Sequence, residues 1–298
     1  MTTAIVVGYT ATDAGADALA LGVRIARSTR RALRVLIVLP DEGATSAVVA
    51  TEPSYEGLIR GQAKQWLDEA AQHIPTDVLH TGHVRVADSF AEGLVQAAEE
   101  LDAGLIVVGA ANGATFGLHR MGSVARALLH SSPISVALAP SAYARRADVD
   151  APLSRITAAV GHRPGADLLL DAAVGLSAAS GAPLRLVSLV ALDVPRGMDV
   201  QAVRLVSTAH GEEVLARAEA ELPDGVRAEL AVAQGDTIEQ AVAQLEWRPG
   251  EIMLVGSSRL AQPRRLFLGS TAAKMLDVIP VPMIVVPRTR ADDAPDPA

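Results

Sequence analysis

Residues 109–123 read GAANGATFGLHRMGS and residues 256–270 read GSSRLAQPRRLFLGS. Both follow an apolar run ending in Val-Gly, both place Gly-Ser thirteen positions after the first glycine, and both lead into a helix-like segment. Matching the pairs sets Gly109 against Gly256 and Ser123 against Ser270, a spacing of 147 residues. Earlier segments match at a spacing of 151: ALRVLIVLP (32–40) with PLRLVSLVA (183–191), and AIVVGYT (4–10) with RITAAVG (155–161). One pattern written twice implies two similar folding units, the second about four residues shorter in its middle. The length agrees, because at 298 residues the chain reaches the ~250–300 at which a single core usually stops growing.

Within each copy the hydrophobic period alternates between strand and helix. In the first, 4–8 reads as a strand, and 13–28 as a helix with Leu19, Val23 and Ala26 on one face. Then follow a strand at 34–39, a helix at 58–73, a strand at 78–86 and a helix at 89–100 opened by the box Ser89-x-x-Glu92. A strand at 105–108, a helix at 124–130 and a strand at 134–139 complete it. The second copy gives 156–160, a helix around Leu170 and Val174, 184–190, a helix near 212–221 and 227–232. A helix opened by Thr237-x-x-Gln240, the strand 252–255, a helix from Thr271 and the strand 283–286 end it. Such alternation requires crossover connections, hence an α/β fold with a mostly parallel sheet covered by helices on both faces. The expectation is two Rossmann-like, doubly wound domains of five strands each, at 1–141 and 153–288. The segment 142–152, AYARRADVDAP, reads as an unpatterned linker, and the acidic, Pro-rich tail 289–298 as disordered.

Composition narrows the function classes. Half the residues are hydrophobic but only 3% aromatic, so Ala, Val, Leu and Ile must pack the interior, as in layered α/β folds. A net charge of −8 with no basic stripe argues against a nucleic-acid partner. Absence of cysteine excludes disulfides, thiolate catalysis and Cys-based metal sites. The N-terminus MTTAIVVGYT lacks a basic and apolar leader, and no apolar run approaches the ~20 residues of a membrane helix. The expectation is therefore a cytoplasmic protein without a membrane partner.

In open α/β sheets ligands sit beyond the carboxyl ends of the strands, near helix N-termini with free N–H groups. A loop leaving a strand at a glycine and entering a helix at Gly-Ser suits that place. Gly122-Ser123 and Gly269-Ser270 would let backbone approach a phosphate, with the hydroxyl as a further donor. The plainer alternative is that glycine permits the turn and serine caps the helix.

A glycine ending the fourth strand, two spacers, Gly, nine spacers and Gly-Ser resembles the nucleotide-binding signature of the universal stress protein family. The resemblance covers 4–140 and 156–287, including the LIVVG and IMLVG strands, the Gly-Ser helices, and the final SVALAP and MIVVP. Two copies resemble the tandem members. The resemblance implies pairing through the last strands, 134–139 and 283–286, as an intramolecular pseudo-dimer, with a homodimer as the other arrangement. It also implies ATP as the cofactor to be considered. Members that bind ATP carry an acidic residue at the end of the first strand; here those positions are Thr10 and Gly161. The second loop glycine is replaced by Asn112 and Arg259, with Gly113 adjacent in the first copy. Each copy keeps its first glycine and its Gly-Ser but lacks the carboxylate. Arg259, with Arg264 and Arg265, is either an anion ligand or a solvated charge, and His119 with Arg120 is a weaker analogue.

His80 and His83 fall on opposite faces of a strand and are poor co-ligands. His162, at the mouth of the second site, either meets a ligand or is exposed. Trp247 reads as packing. No nucleophile elbow, Walker loop or HExxH motif occurs, so no metal and no catalytic residues are expected. The expected function is a non-enzymatic stress-response or regulatory protein with an unidentified protein partner; an ATP-binding switch with slow or no hydrolysis is the alternative.

Overall fold

The computed structural model describes residues 4–41, 55–111, 119, 121–148, 150–161, 166–191, 200–258 and 266–288. The first half runs β1 (Ala4–Gly8), α1 (Asp13–Thr29), β2 (Ala32–Pro40), α2 (Tyr55–Ala71), β3 (His80–Ala87), α3 (Phe90–Glu100), β4 (Ala103–Gly109), α4 (Ser123–Ser131) and β5 (Ser135–Ala139). After α5 (Tyr143–Arg146), the second half runs β6 (Arg155–Ala159), α6 (Ala166–Ser180), β7 (Leu184–Ala191), α7 (Val200–Ala220), β8 (Ala228–Gly235), α8 (Ile238–Ala243), β9 (Glu251–Gly256), α9 (Ser270–Leu276) and β10 (Met283–Val286).

Each half is a five-stranded parallel sheet, and the two join in one sheet of order β3-β2-β1-β4-β5-β10-β9-β6-β7-β8. The join is antiparallel, Met283 opposite Leu138 and Val285 opposite Val136, so the last strands pair as expected. It closes two strand edges that would otherwise be left open. Because the join is antiparallel, the carboxyl ends of the two strand sets lie at opposite edges of the sheet.

Strand alternation sends residues to two layers of core. Ile5 and Val7 join α1, α2, α6 and α7 on one face; Ala4 and Val6 join α3, α4, α8 and α9 on the other. Leu21, Ile25, Leu128 and Ile156 are fully buried, each worth about 1.5–3 kcal/mol of transfer free energy. The hydroxyl half of each helix box forms as read: Ser89 accepts from the Glu92 N–H at 3.2 Å, and Thr237 from that of Gln240 at 3.2 Å, while Gln240 Oε1 turns back to the Asp236 N–H at 2.9 Å.

Three readings are corrected. Residues 142–152 are not featureless, because α5 lies there and docks on α1. The buried Asp17 carboxylate accepts from the Ala142 and Ala144 N–H groups at 2.8 Å each. Helix α7 begins at Val200, well before 212: Leu205 and Val206 are 74% and 70% exposed, so its apolar residues do not mark one face. His119 is not a loop charge. It is buried, with its Nε2 2.9 Å from the Val281 carbonyl oxygen of the other half. At the matching position Leu266 is buried too, its N–H donating to the Ser132 carbonyl at 2.8 Å. Each long loop thus ends in a residue that crosses to the other half. Residues 289–298 lie outside the described residues.

Candidate functional site

In each half the order of strands reverses between the first and fourth, β1 with β4 and β6 with β9. There the connections leave to opposite faces and open a crevice at the strand ends. Each crevice holds a cavity. The first, about 250 Å³, is lined by Gly8, Thr10, Gly109, Gly122 and Ser123, among others. The second, about 200 Å³, is lined by Gly161, Gly256, Ser257, Ser258, Gly269 and Thr271, among others. Thr10, Gly109, Gly122 and Ser123 therefore meet in one place, and Gly161, Gly256 and Gly269 in another. Ser270 is the exception, since Thr271 lines the second cavity in its stead. Asn112, Gly113, Arg120, His162, Arg259, Arg264 and Arg265 lie outside the described residues.

The serines do not cap. Gly122 and Gly269 occupy the N-cap positions of α4 and α9 without a side-chain hydrogen bond, and Ser123 and Ser270 are the first helical residues. The first N–H groups of α4 thus have no capping oxygen from their own turn. In the second half two hydroxyls, Ser257 and Ser258, stand where the first has Ala110 and Ala111. Ser257 Oγ accepts from the Phe267 N–H at 2.8 Å, and the Ser258 N–H donates to the Phe267 carbonyl at 2.8 Å, fixing both ends of that loop.

The two crevices differ in what closes them. The turn after β1 is tight: Thr12 caps α1 by accepting from Gly15, and the hydroxyls of Thr10 and Thr12 are 2.9 Å apart. This brings the first turn of α1 down on β4, where a Cβ on Gly109 would collide with the Ala14 carbonyl oxygen. Among the described residues a Cβ on Gly161 would meet nothing within 4 Å, and one on Gly256 only Leu169 at 3.9 Å. Gly109 is required by helix packing, whereas among the described residues nothing crowds Gly161 and only Leu169 comes near Gly256. No carboxylate lines either cavity among the described residues.

Residues 1–140 and 152–287 each match the profile of the universal stress protein family. The chain belongs to that family. Universal stress proteins of Mycobacterium bovis and Mycobacterium tuberculosis are 29% identical to it over 298 residues, covering 95% of this chain and 99% of theirs. A universal stress protein of Archaeoglobus fulgidus superposes with a TM-score of 0.67 at 18% identity, over 97% of this chain and 99% of that one. A second solved structure, described as a putative universal stress protein of Pseudomonas aeruginosa, gives 0.56 at 15% identity, over 96% and 93%. These two likenesses speak to the fold, and they share its Rossmann-like tandem arrangement over nearly the whole chain.

Several groups that shape the molecule carry no motif. Glu251, fully buried, accepts from Arg155 at 2.8 Å, from Arg185 at 2.7 Å and from Thr157 at 2.5 Å. Arg185 also lies 5.2 Å from the centre of the Trp247 ring, which is packed as expected. Their only trace in the sequence is a charge at the start of three otherwise aliphatic strands. His80 and His83 turn to local partners, the Val78 carbonyl and the Thr81 hydroxyl, and no group of three or more potential metal ligands occurs among the described residues. No helix among them is long and apolar enough to cross a membrane.

Proposed function

We propose that this chain is a non-enzymatic stress-response regulator whose two nucleotide-type sites are degenerate and unequal. In the first, α1 packs directly on the Gly109 end of β4 although a cavity of about 250 Å³ remains, and the second, about 200 Å³, still admits a phosphate-bearing ligand weakly. The observation that carries this reading is the contrast between Gly109, pressed against Ala14, and Gly161 and Gly256, which no described residue crowds. Ligand pockets usually exceed about 300 Å³, and both cavities are smaller. Their described linings offer hydroxyls, amides and aliphatic groups but no Asp, Glu, His or Lys to act as base or metal ligand. Regulation then proceeds through contacts with a protein partner.

The alternative, an ATP-binding switch, is favoured by the Ser257, Ser258 and Thr271 hydroxyls at the second cavity. Calorimetric titration with magnesium-ATP, AMP and inorganic phosphate tests both readings. At most one weak equivalent per chain is expected, lost in Gly161→Trp, with no phosphate released over hours. Tight binding of two equivalents, or turnover, contradicts the proposal.

A further inference from the structure

A third cavity, about 640 Å³ and larger than the other two, lies at the N-terminal ends of β6, β9 and β10, against α1 and the segment joining the halves. It shares no lining residue with the Gly-Ser crevices. Its size falls in the range of small-molecule sites.

The wall contains a buried charge with no carboxylate partner among the described residues. Arg24 is 97% buried, being 3% exposed, and its guanidinium donates only to neutral oxygens: the Tyr143 hydroxyl at 3.4 Å and the Pro152 carbonyl at 3.1 Å. Its Nε is buried without a partner, and so is the Ser154 hydroxyl on the same wall. A buried guanidinium normally has a carboxylate beside it, because desolvating an unpaired charge is costly. Neither of the two carboxylates on the wall bonds Arg24 among the described residues. Glu251 is held by Arg155 and Arg185, and Asp148 accepts from the Asp150 N–H at 3.1 Å. Arg248 also lines the cavity, while Trp247, Pro280 and Pro282 supply an apolar surface.

We propose that this cavity binds a small organic anion, its carboxylate or phosphate seated on Arg24 and Ser154 and its apolar body against Trp247 and the neighbouring prolines. A guanidinium fork suits either headgroup. Because the wall draws on α1, the joining segment and the second half, the ligand would fasten the halves to one another. Nothing in this depends on the nucleotide-type crevices being occupied.

The test is calorimetry on the full chain with benzoate, phenyl phosphate and neutral benzyl alcohol. One equivalent of an anion should bind, at least tenfold more tightly than benzyl alcohol. Arg24→Met should weaken it at least tenfold and Ser154→Ala several-fold, while Gly161→Trp, which blocks the second crevice, leaves it unchanged. The tighter of the two anions identifies the headgroup. If Arg24→Met does not fold, Ala147→Trp, which fills the cavity from the joining segment, should abolish binding. Absence of saturable heat from either anion at millimolar concentration overturns the proposal, as does equal binding of benzyl alcohol or loss in Gly161→Trp.

Discussion

His119 Nε2 lies 2.9 Å from the carbonyl oxygen of Val281, a hydrogen bond between the halves that places the proton of the neutral imidazole on Nε2. Its Nδ1 is buried with no hydrogen-bond partner among the described residues. Burial, opposed by the hydrogen bond and aided by the nearby Arg146 charge, holds its pKa down to about 4 against an ordinary 6.5. Between those values the unfolded chain binds a proton that the folded chain refuses, so stability falls as pH drops through the window and levels off below it. The loss reaches about 3 kcal/mol at most. Leu266 fills the matching position in the second half, so His119→Leu should flatten this part of the acid limb while costing about 1 kcal/mol at neutral pH for the lost bond. Urea denaturation of both proteins from pH 7 to 4 reads the difference; parallel curves would contradict it.

Glu251 stands between two guanidinium groups, with side chains of Glu251, Arg155 and Arg185 no more than 3% exposed. Removing its charge leaves two buried cations facing each other. Glu251→Gln should cost about 3–5 kcal/mol, whereas replacing all three residues by apolar ones of similar volume should come near to neutral. Denaturant midpoints with unchanged m-values would establish both.

Asp17 ties α5 to α1 through the Ala142 and Ala144 N–H groups. Burial raises its pKa and the two hydrogen bonds lower it, leaving it raised. Asp17→Ala should destabilise by about 1–3 kcal/mol and speed amide exchange at 142–148 ahead of the strands. Unaltered exchange there would show that α5 is held by Tyr143 and Arg24 alone.

Gly109→Ala and Gly256→Ala are the same chemical change at matched positions. The first collides with the Ala14 backbone and should cost about 1–3 kcal/mol or more; the second meets only Leu169 at van der Waals distance and should be nearly neutral. Equal effects would remove the basis for treating the two crevices as unequal.

Much of the fold was legible because its signals are local. Aliphatic runs ending at Gly8, Gly109 and Gly256 gave strands, and Ser89 with Glu92 gave a helix start. The pairing of β5 with β10 followed from the repeat and the family resemblance. What escaped is tertiary. Asp17 and Arg24, which no sequence motif singles out, lie buried on α1 beneath the joining segment, and Arg155, Arg185 and Glu251 are separated by up to 96 positions yet meet in one network. The reading that serine caps α4 is off by one residue, since Gly122 takes the cap position and Ser123 is the first helical residue. The inequality of the crevices rests on how far α1 descends toward β4, which no motif encodes.

The account turns on which crevice accepts a phosphate-bearing ligand, and amide chemical-shift mapping with magnesium-ATP addresses that directly. The shifts should concentrate at 256–258 and 269–272 and leave Gly109 and 122–125 in place. Equal or larger shifts around Gly109 and 122–125 would contradict it.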